Sequence, residues 1–413
     1  MLYKFSESTK IITNRNKVIL GNIHTGQWIR ISQEVYKIFK LGMDNNLDLK
    51  SLKEYLYDNE DRAYIDDMYM KLYKIGVIED KFNKKDVKNK SILFEITNRC
   101  NLKCTHCGID ADGVISDKKE LDTSKVKGVL DKLIQWNPES ITLTGGEPML
   151  RKDFFEILKY LKENYNGQTC VSTNGTLINE ENVKLLTEFA DQIDISIDGI
   201  DEETCSIVRG KGVFNKVISS VKLLQKLGFE KISLSMVFGN KNSHLKKEFI
   251  NLNKSLKTYP IVREFKAIGR GETNKQLFYD KKEAESILDK EFIKGTFRKT
   301  FNICSCTAGK KEFFIRYNGD IYPCQSFLNE EYLIDNIMNI ESLNYLKLDK
   351  CKGKKLDVLS LIDNLKCRDC KVNLFCWPCP GEIYEMVQNE ECFNKTCEEI
   401  KPILYKEIWG EDL

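Results

Sequence analysis

Short apolar runs alternate with amphipathic stretches through the middle of the chain. Strands are predicted at residues 92–96, 141–144, 169–172, 193–197, 231–238 and 262–268, and helical spacing of apolar residues recurs at 154–161, 183–189 and 214–227. Repeated strand–helix units predict a parallel sheet covered by helices. Six units fit a partial (β/α)6 TIM-type barrel, in which chemistry takes place where strands end and loops begin.

The first 85 residues follow a different plan. Residues 17–22 and 25–31 are predicted to form two strands around a turn. Ser32 is a candidate cap for a first helix, a second helix fits residues 49–56, and a third ends at Gly76. Two strands with three helices are typical of a winged-helix domain, and the polar, lysine-rich residues 81–90 read as a linker.

Charge argues against nucleic acid and anionic membranes as main partners. The chain has 64 Lys+Arg and 62 Asp+Glu residues, and residues 1–80 contain 12 basic and 12 acidic side chains, so the winged-helix segment has no basic surface for DNA. Hydrophobic residues make up 41% of the chain, without a run long enough to cross a membrane. The first residues lack the apolar centre of a signal peptide, so we expect a cytoplasmic protein.

Three cysteines follow the first barrel strand at C-x3-C-x2-C spacing, namely Cys100, Cys104 and Cys107. A cubic 4Fe–4S cluster held by three thiolates keeps one iron open to a small molecule. Two alternatives stay open at this point: a zinc site with His106 as fourth ligand, or thiols without a metal. A disulfide framework is not expected for the fifteen cysteines of a cytosolic chain.

The three-cysteine spacing resembles the signature of the radical S-adenosylmethionine (SAM) family, C-x3-C-x-aromatic-C, with His106 at the aromatic position. The resemblance implies a partial (β/α)6 barrel and a 4Fe–4S cluster whose open iron is chelated by SAM. One-electron cleavage of SAM would then give a 5′-deoxyadenosyl radical that abstracts a hydrogen atom from the substrate. Such chemistry needs an electron donor, expected to be of flavodoxin or ferredoxin type, and an oxygen-poor cytoplasm.

Polar motifs at the ends of the predicted strands extend this resemblance. Gly145 and Gly146 allow the backbone to approach a ligand closely, and in the family this Gly-Gly-Glu-Pro turn binds the amino group of SAM. The guanidinium of Arg209 resembles the one that pairs with the SAM carboxylate. The SAM-binding residues implied by the resemblance are Gly145, Gly146, Glu147, Ser172, Asn174, Ser196, Asp198 and Arg209.

The C-terminal cysteines follow a second pattern. Cys306 is followed by Gly319 and Cys324, within a hairpin predicted around Asn318-Gly319. Four further cysteines follow at C-x2-C-x5-C-x2-C spacing, beginning at Cys367. This arrangement resembles the SPASM extension of radical SAM enzymes, which binds two auxiliary 4Fe–4S clusters, although the family has x3 in the last gap.

The resemblance implies a ligand set for each auxiliary cluster. The first set is Cys306, Cys324 and Cys379, with Cys304 as an uncertain fourth ligand, and the second is Cys367, Cys370, Cys376 and Cys397. Without Cys304, the first cluster would also have an open iron, where a substrate thiolate could bind. Two zinc sites are the alternative for these cysteines. Cys170, Cys205 and Cys351 fit no pattern, and the first two are expected at packed barrel positions.

Together the resemblances imply three domains: a winged-helix domain at residues 1–85, a radical SAM barrel at 86–290 and a SPASM domain at 291–413. The front is similar to the leader-recognition elements of enzymes that modify ribosomally made peptides, in which the leader adds a strand to the sheet. The expected function is that of a peptide maturase. Its most favoured product is a thioether from a cysteine sulfur to a carbon of another residue, as in sactipeptide and ranthipeptide maturases.

Three other functions use the same parts. A carbon–carbon cross-linking maturase and an anaerobic sulfatase-maturing enzyme share the radical chemistry. A winged-helix regulator that senses redox state or SAM is not an enzyme, and the balanced charge argues against it. The sequence does not identify a catalytic base.

Overall fold

The computed structural model describes residues 2–82, 90–111, 120–279, 302–346, 367–376 and 390–411. Two units can be distinguished in the chain. One comprises Met1–Val87, Glu285–Thr307 and Asp357–Leu413, and the other comprises Lys88–Ala284 and Ala308–Leu356. The division into three domains stays a prediction.

The first unit begins with a small antiparallel sheet and three helices. Strands β2, β3 and β4 pair in that order, and β1 pairs with β5. The predicted pair of strands and three helices are present, while β1, β2 and β5 were not predicted. The winged-helix plan itself stays a prediction. The bounds are β1 Tyr3–Phe5, β2 Thr9–Asn14, β3 Lys17–Asn22, β4 Trp28–Ser32, α1 Gln33–Asp44, α2 Leu49–Lys53, α3 Asn59–Lys74 and β5 Ile78–Asp80.

Each of these helices begins after a side chain that caps it. Ser32 Oγ accepts a hydrogen bond from the backbone N–H of Val35 at 3.2 Å, as the sequence predicts for α1. Asp48 caps α2 and Asp58 caps α3 in the same way. An oxygen at this position satisfies one of the backbone donors that a helix start leaves unpaired. The polar residues between the apolar stretches therefore define where the helices start.

The two faces of the β2–β4 sheet pack on different partners. Val18 and Leu20 belong to the cluster that includes the side chains of α1, α2 and α3. Ile19, which lies between them, belongs with Ile12 to a second cluster that contains the cysteine-rich C-terminal residues. Successive side chains of a strand point to opposite faces, so β3 is buried on both.

The second unit is organised around a parallel sheet. Six strands lie in the order β6-β7-β8-β9-β10-β11, all parallel, with helices between them in sequence. This confirms the predicted α/β class and agrees with a partial TIM-type barrel. The bounds are β6 Ser91–Thr97, α4 Thr123–Gln135, β7 Ser140–Gly145, α5 Phe154–Asn164, β8 Gln168–Thr173, α6 Val183–Phe189, β9 Gln192–Ser196, α7 Glu202–Arg209, α8 Val213–Lys226, β10 Ile232–Phe238, α9 Lys246–Leu256, β11 Tyr259–Glu264 and α10 Arg270–Thr273.

The position of the last barrel strand corrects the sequence analysis, which placed it at residues 262–268. The strand ends at Glu264, and the apolar residues beyond it lie in a loop. Phe265 is buried there against Phe278, with the rings stacked 4.2 Å apart. Its burial comes from this loop packing rather than from the sheet, so the apolar run does not mark the strand.

Three short strands extend the same sheet beyond β6. Strand β12 (Glu312–Ile315) pairs in parallel with β6, and β13 (Asp320–Tyr322) and β14 (Asp335–Asn336) follow antiparallel. Gly319 has a positive φ of 90°, which the turn between β12 and β13 requires. The predicted hairpin is confirmed, whereas its attachment to the edge of the barrel sheet was not predicted.

The first unit ends in helix α11 (Glu390–Trp409), 20 residues long. Trp409 is fully buried and donates its indole N–H to the carbonyl of Lys371 at 3.0 Å. Trp28 of β4 packs edge-to-face on Phe375. Residues 367–376 are therefore held between the β2–β4 sheet and α11. Within the described parts of the chain, no helix is both long and apolar enough to cross a lipid bilayer.

Candidate active site

A cavity of about 610 Å³ opens at the carboxyl ends of the barrel strands. Its wall includes the three-cysteine loop after β6 and the ends of β7, β8, β9, β10 and β11. Because parallel strands end at the same edge of a sheet, motifs far apart in sequence meet here. Ten of the predicted site residues line it: Cys100, Cys104, Cys107, Gly145, Gly146, Ser172, Asn174, Ser196, Asp198 and Arg209.

Backbone N–H groups point at two of the three sulfurs. Leu102 N–H is 3.4 Å from Cys100 Sγ, and Ala111 N–H is 3.3 Å from Cys107 Sγ. The loop turns back on itself so that its own amides face its cysteines. Such donors stabilise a sulfur that carries negative charge, as a metal-bound thiolate does.

Side chains from other elements supply further donors to the sulfurs. Arg209 Nη1 lies 3.8 Å from Cys104 Sγ, and Asn174 Nδ2 lies 3.9 Å from Cys100 Sγ. Asn174 follows β8 and Arg209 ends α7, so the barrel rather than the loop alone forms the surroundings of the thiols.

Burial raises the pKa of the Cys100 thiol to about 11, and the neighbouring thiols Cys104 and Cys107 add to the shift. Burial also raises the pKa of Cys104, although the charge of Arg209 opposes it. Both groups are therefore neutral thiols at pH 7 in the absence of metal. Metal binding would replace these protons, because a coordinating thiol is deprotonated.

The residues present fit an iron–sulfur cluster better than they fit zinc. His106 Nε2, which would complete a zinc site, lies 2.8 Å from Asp198 Oδ2. Within the described parts of the chain, no three or more His, Cys, Asp or Glu side chains converge as closely as a single metal ion requires. A cubic cluster distributes its ligands around four irons, and the three thiols on one cavity wall suit that arrangement.

The Gly-Gly turn after β7 makes room for close backbone contact. Gly146 N–H donates to the carbonyl of Thr97, and Glu147 N–H donates to that of Arg99, both at 2.8 Å. A side chain on Gly145 would collide with the Thr97 carbonyl, and one on Gly146 would collide with the Arg99 carbonyl. The turn is therefore joined to the segment that leads into the cysteine loop.

Glu147 is fully buried beside the turn and does not line the cavity. Thr173 donates its hydroxyl to the carboxylate at 2.8 and 2.9 Å, and the backbone N–H groups of Asn174 and Met149 donate at 2.8 and 3.1 Å. Burial raises its pKa by more than these hydrogen bonds lower it. The carboxyl group connects the ends of β7 and β8. Its contact with SAM stays a prediction.

Asp198 is the centre of a buried polar group that the sequence did not predict. Its Oδ2 lies 2.7 Å from Arg209 Nε, 2.6 Å from Arg209 Nη2 and 2.8 Å from His106 Nε2. Its Oδ1 accepts from the backbone N–H of Val237 at 2.7 Å. Burial alone would raise the pKa of Asp198, but the Arg209 guanidinium and His106 outweigh it and hold that pKa well below its usual range. The carboxylate is charged at all physiological pH values.

The lower wall of the cavity is polar. Ser196 and Ser235 are in contact, with their hydroxyl oxygens 3.2 Å apart, and Ser172 and Asp194 lie at the adjacent strand positions. Two cavity residues on the β11 side, Arg263 and Lys266, were missed in the sequence analysis. Arg263 lies within the predicted strand, and alternation with the apolar Val262 would have placed it on the opposite face; Lys266 was predicted in the strand but lies in the loop beyond it.

Four of the cysteines assigned to the second auxiliary cluster are close together in the first unit. Cys370 and Cys397 both contribute to the raised pKa of Cys367, which burial raises to about 11. Burial raises the pKa of Cys376 well above its usual value, with contributions from Cys370, Cys397, Cys367 and also Cys304. Charge effects of this kind require short separations, so Cys304 lies near the second set. Its assignment to either cluster stays a prediction.

The first auxiliary set can be located only in part. Cys379 lies outside the described residues. Cys306 packs against the cluster that contains Ile19, in the first unit. Cys324 belongs to the barrel unit, where its sulfur accepts from the backbone N–H of Ser326 at 3.4 Å. Cys170 and Cys205 are buried in the barrel, as predicted.

Residues 94–252 match the sequence profile of the Radical SAM superfamily. Mycofactocin maturase MftC of Mycolicibacterium smegmatis is 28% identical over 266 residues, which are 60% of this chain and 67% of that protein. A probable GTP 3′,8-cyclase of Saccharolobus islandicus is 31% identical over 209 residues, which are 49% of this chain and 66% of the cyclase. These two relatives differ in the chemistry that their names state.

The fold extends over a longer part of the chain than these sequence matches. The crystal structure of Streptococcus suis SuiB bound to precursor peptide SuiA superposes with a TM-score of 0.53 at 16% identity, covering 91% of this chain and 94% of that chain. At this identity the similarity shows a shared architecture.

Proposed function

The chain contains a radical SAM domain, and from this premise we propose that it modifies a ribosomally made precursor peptide by joining a cysteine sulfur to a carbon of another residue. The observation that carries the proposal is the cavity lined by Cys100, Cys104 and Cys107. Because the cavity opens at the carboxyl ends of the strands of a partial barrel, it leaves room for a peptide segment beside the bound cofactor.

Cys100, Cys104 and Cys107 would hold a 4Fe–4S cluster with one iron open to SAM. When bound, the cluster and SAM supply a one-electron cleavage of SAM, which leads to removal of a hydrogen atom from the substrate. The barrel residues keep the reacting groups in position and keep water out. The N–H donors near the sulfurs stabilise their negative charge.

Arg209 has a geometry suited to a SAM carboxylate. One edge of its guanidinium, Nε and Nη2, is held by Asp198, while Nη1 points to Cys104 Sγ at the cavity wall. A planar guanidinium fixed on one edge is already oriented for an anion on the other. The Gly145-Gly146 turn would receive the amino group at its backbone.

We propose three 4Fe–4S clusters in all, with the two auxiliary clusters held by the cysteines assigned above. The proximity of Cys367, Cys370, Cys376 and Cys397 supports the second. Thioether formation removes two hydrogens and two electrons from the peptide, and an auxiliary cluster is the expected acceptor of the second electron. The cysteine thiol of the peptide gives up its proton to water.

The peptide partner is supported by the names of two similar proteins, a maturase and an enzyme bound to a precursor peptide.

Strands β2 and β4 are the two edges of the three-stranded sheet at which a leader strand could add. The start of β2 is occupied, because the hydroxyls of Ser6 and Thr9 donate to the carbonyls of Gly76 and Val77, so we propose β4 as the leader-binding edge. Hydrogen bonds between Asn22 and Gln27 and between Gln33 and Asn16 show that the odd-numbered residues of this segment bond to β3. In an antiparallel pair the bonded residues alternate with residues whose N–H points away, so the backbone N–H of Arg30 points outward at this edge.

The test uses protein reconstituted without air, SAM, a reductant and the cysteine-containing peptide encoded beside the gene. A peptide lighter by two hydrogens, whose cysteine no longer reacts with iodoacetamide, supports the thioether. The same mass loss with an alkylatable cysteine would indicate a carbon–carbon cross-link and overturn it. Replacing Cys100, Cys104 and Cys107 together by alanine should abolish SAM cleavage and lower iron content, whereas Cys170→Ala, a buried thiol outside the set, should do neither.

Leader binding at β4 is tested by a matched pair. Arg30→Pro removes the outward N–H, and Arg30→Ala removes the same side chain but keeps that N–H. We expect the alanine variant to bind leader peptide like the wild type and the proline variant to bind at least about tenfold more weakly. Equal binding by the two variants would place the leader elsewhere.

A further inference from the structure

The β11 side of the cavity carries a cation whose charge the described residues do not neutralise. Ile261 and Arg263 line the cavity, while Val262 between them is exposed, so the Arg263 side chain is on the inward face of the strand. The Arg263 side chain makes no hydrogen bond or ion pair within the part of the chain that the structure describes. A guanidinium partly removed from water without an anion is unfavourable until an anion binds.

The other cations of the wall are already engaged. Asp198 holds one edge of the Arg209 guanidinium at 2.6 Å, and the other edge is assigned to the SAM carboxylate. Arg270 Nη1 is paired with Asp110 at 2.7 Å. Lys266 donates to the hydroxyl of Ser326 at 2.8 Å. Asp194, an acidic residue of the same cavity, lies deeper in the barrel and accepts from Gln192. Among the described lysine and arginine side chains that line the cavity, Arg263 is therefore the one without a partner, and Glu264, which follows it, lines the cavity as well.

Register places Arg263 near the reacting end of the cavity. It pairs with Val237 on β10, whose N–H binds the Asp198 carboxylate. One position deeper on the inward face, Ile261 pairs with Ser235, which contacts Ser196. Arg263 thus stands level with the Asp198–Arg209 pair rather than at the closed end of the barrel.

The anion that suits this position is a carboxylate, which a guanidinium binds with two parallel hydrogen bonds. Two sources are available, an acidic side chain of the substrate and the carboxylate of SAM. Strand β11 is four strands from β7, whose end forms the Gly145-Gly146 turn. At about 4.8 Å per strand this is roughly 19 Å measured along the curved sheet. The SAM carboxylate is assigned to Arg209, which comes after β9, so it already has a guanidinium partner, and the substrate side chain is the source that remains for Arg263.

We propose that Arg263 is a specificity residue that binds an aspartate or glutamate side chain of the substrate peptide next to the residue that is modified. The inference rests on the proposed function, since it takes the cavity as the site where the peptide reacts. It predicts a precursor with an acidic residue within the segment that enters the barrel.

The test uses three fluorescein-labelled synthetic peptides of one Gly/Ser-rich sequence, each with one cysteine and one variable position that carries Asp, Asn or Lys. Binding to the reconstituted, SAM-loaded protein is measured by anisotropy. We expect the Asp peptide to bind about tenfold more tightly than the Asn peptide, the lower end of the contribution of a charged hydrogen bond. Arg263→Gln should reduce this ratio to below about twofold, and Arg263→Lys should keep part of it.

A variant that gains binding to one peptide distinguishes the loss of a specific contact from misfolding of the protein. Arg263→Glu should reverse the preference, so that the Lys peptide binds more tightly than the Asp peptide. Equal binding of Asp and Asn peptides to the wild type overturns the proposal. A SAM dissociation constant about tenfold weaker in Arg263→Gln would assign the carboxylate to SAM and also overturn it. Peptide-free 5′-deoxyadenosine formation by the wild type is measured separately, because its absence would contradict the proposed function itself.

Discussion

Asp198 Oδ2 accepts from both Nε and Nη2 of Arg209, at 2.7 and 2.6 Å, and both side chains are almost fully buried. Asp198 follows β9 and adopts a positive φ of 49°, while Arg209 is the last residue of α7. The pair therefore connects the end of a barrel strand with the end of the next helix. Because Arg209 also faces Cys104 Sγ, the same contact fixes one side of the cysteine loop.

Asp198→Asn should destabilise the barrel by about 3–5 kcal/mol, because it leaves a buried guanidinium without its counter-charge. His106 would lose its carboxylate partner as well. Denaturant titration followed by circular dichroism measures the change. Asp194→Asn, which removes a carboxylate from the same cavity without breaking an ion pair, is the matched control and should cost less than about 1 kcal/mol. Similar losses in the two variants would show that the pair is not a major source of stability.

Gly146→Ala should disrupt the turn that we propose to receive SAM. The added carbon would collide with the Arg99 carbonyl, and a backbone atom cannot rotate away as a side chain can. We expect SAM binding, measured by isothermal titration, to weaken by at least about tenfold. Gly128→Ala is the control, since nothing lies within 4 Å of the added carbon on helix α4, and it should bind SAM like the wild type.

The sequence predicted the barrel well because its signals are local. Apolar and polar side chains alternate at residues 141–144 and 193–197, and turn residues follow each segment. The structure has strands there, at Ser140–Gly145 and Gln192–Ser196. The motifs after these strands meet in one cavity, as the parallel order requires. Cysteine spacing predicted the three thiols that line this cavity, Cys100, Cys104 and Cys107, while the ligand sets of the auxiliary clusters stay predictions.

The contacts of Asp198 could not be predicted in this way. Its partners His106 and Arg209 come from different loops, and only the folded chain brings them together. The strand that ends at Glu264 was misplaced for a similar reason, since the burial of Phe265 depends on Phe278 in a later loop. Likewise, a local sequence pattern cannot predict that β3 packs on cysteine-rich residues more than 300 positions later in the chain.

Trp409→Ala should loosen the segment that carries three of the cysteines proposed to hold the second auxiliary cluster. The indole is fully buried and donates to the Lys371 carbonyl, within residues 367–376. Loss of a buried tryptophan costs about 3–5 kcal/mol. We expect iron and sulfide per chain to fall towards the value of a protein without the second auxiliary cluster. Trp409→Phe keeps most of the apolar contact and should retain more iron than Trp409→Ala. Equal iron content in the two variants would show that the packing of α11 does not support cluster binding.

Glu95 predicts a pH dependence of stability. Its carboxyl is fully buried on β6, with Oε2 3.0 Å from Arg316 Nε and no partner for Oε1 within the described residues. Burial raises its pKa to about 7, against the opposing charge of Arg316, and Glu120 adds to the rise.

Between the unfolded pKa of about 4.3 and 7, the native protein holds a proton that the unfolded chain has lost. Stability of the wild type therefore falls as pH rises through this window, by about 4 kcal/mol for this group, and does not change further above it. Glu95→Gln lacks the titrating group, so its stability relative to the wild type should rise from pH 5 to pH 8. Denaturant titrations across this range measure the difference, with Glu163→Gln as a control that removes an exposed carboxylate. A constant difference between Glu95→Gln and wild type would mean that Glu95 stays ionised in the folded protein.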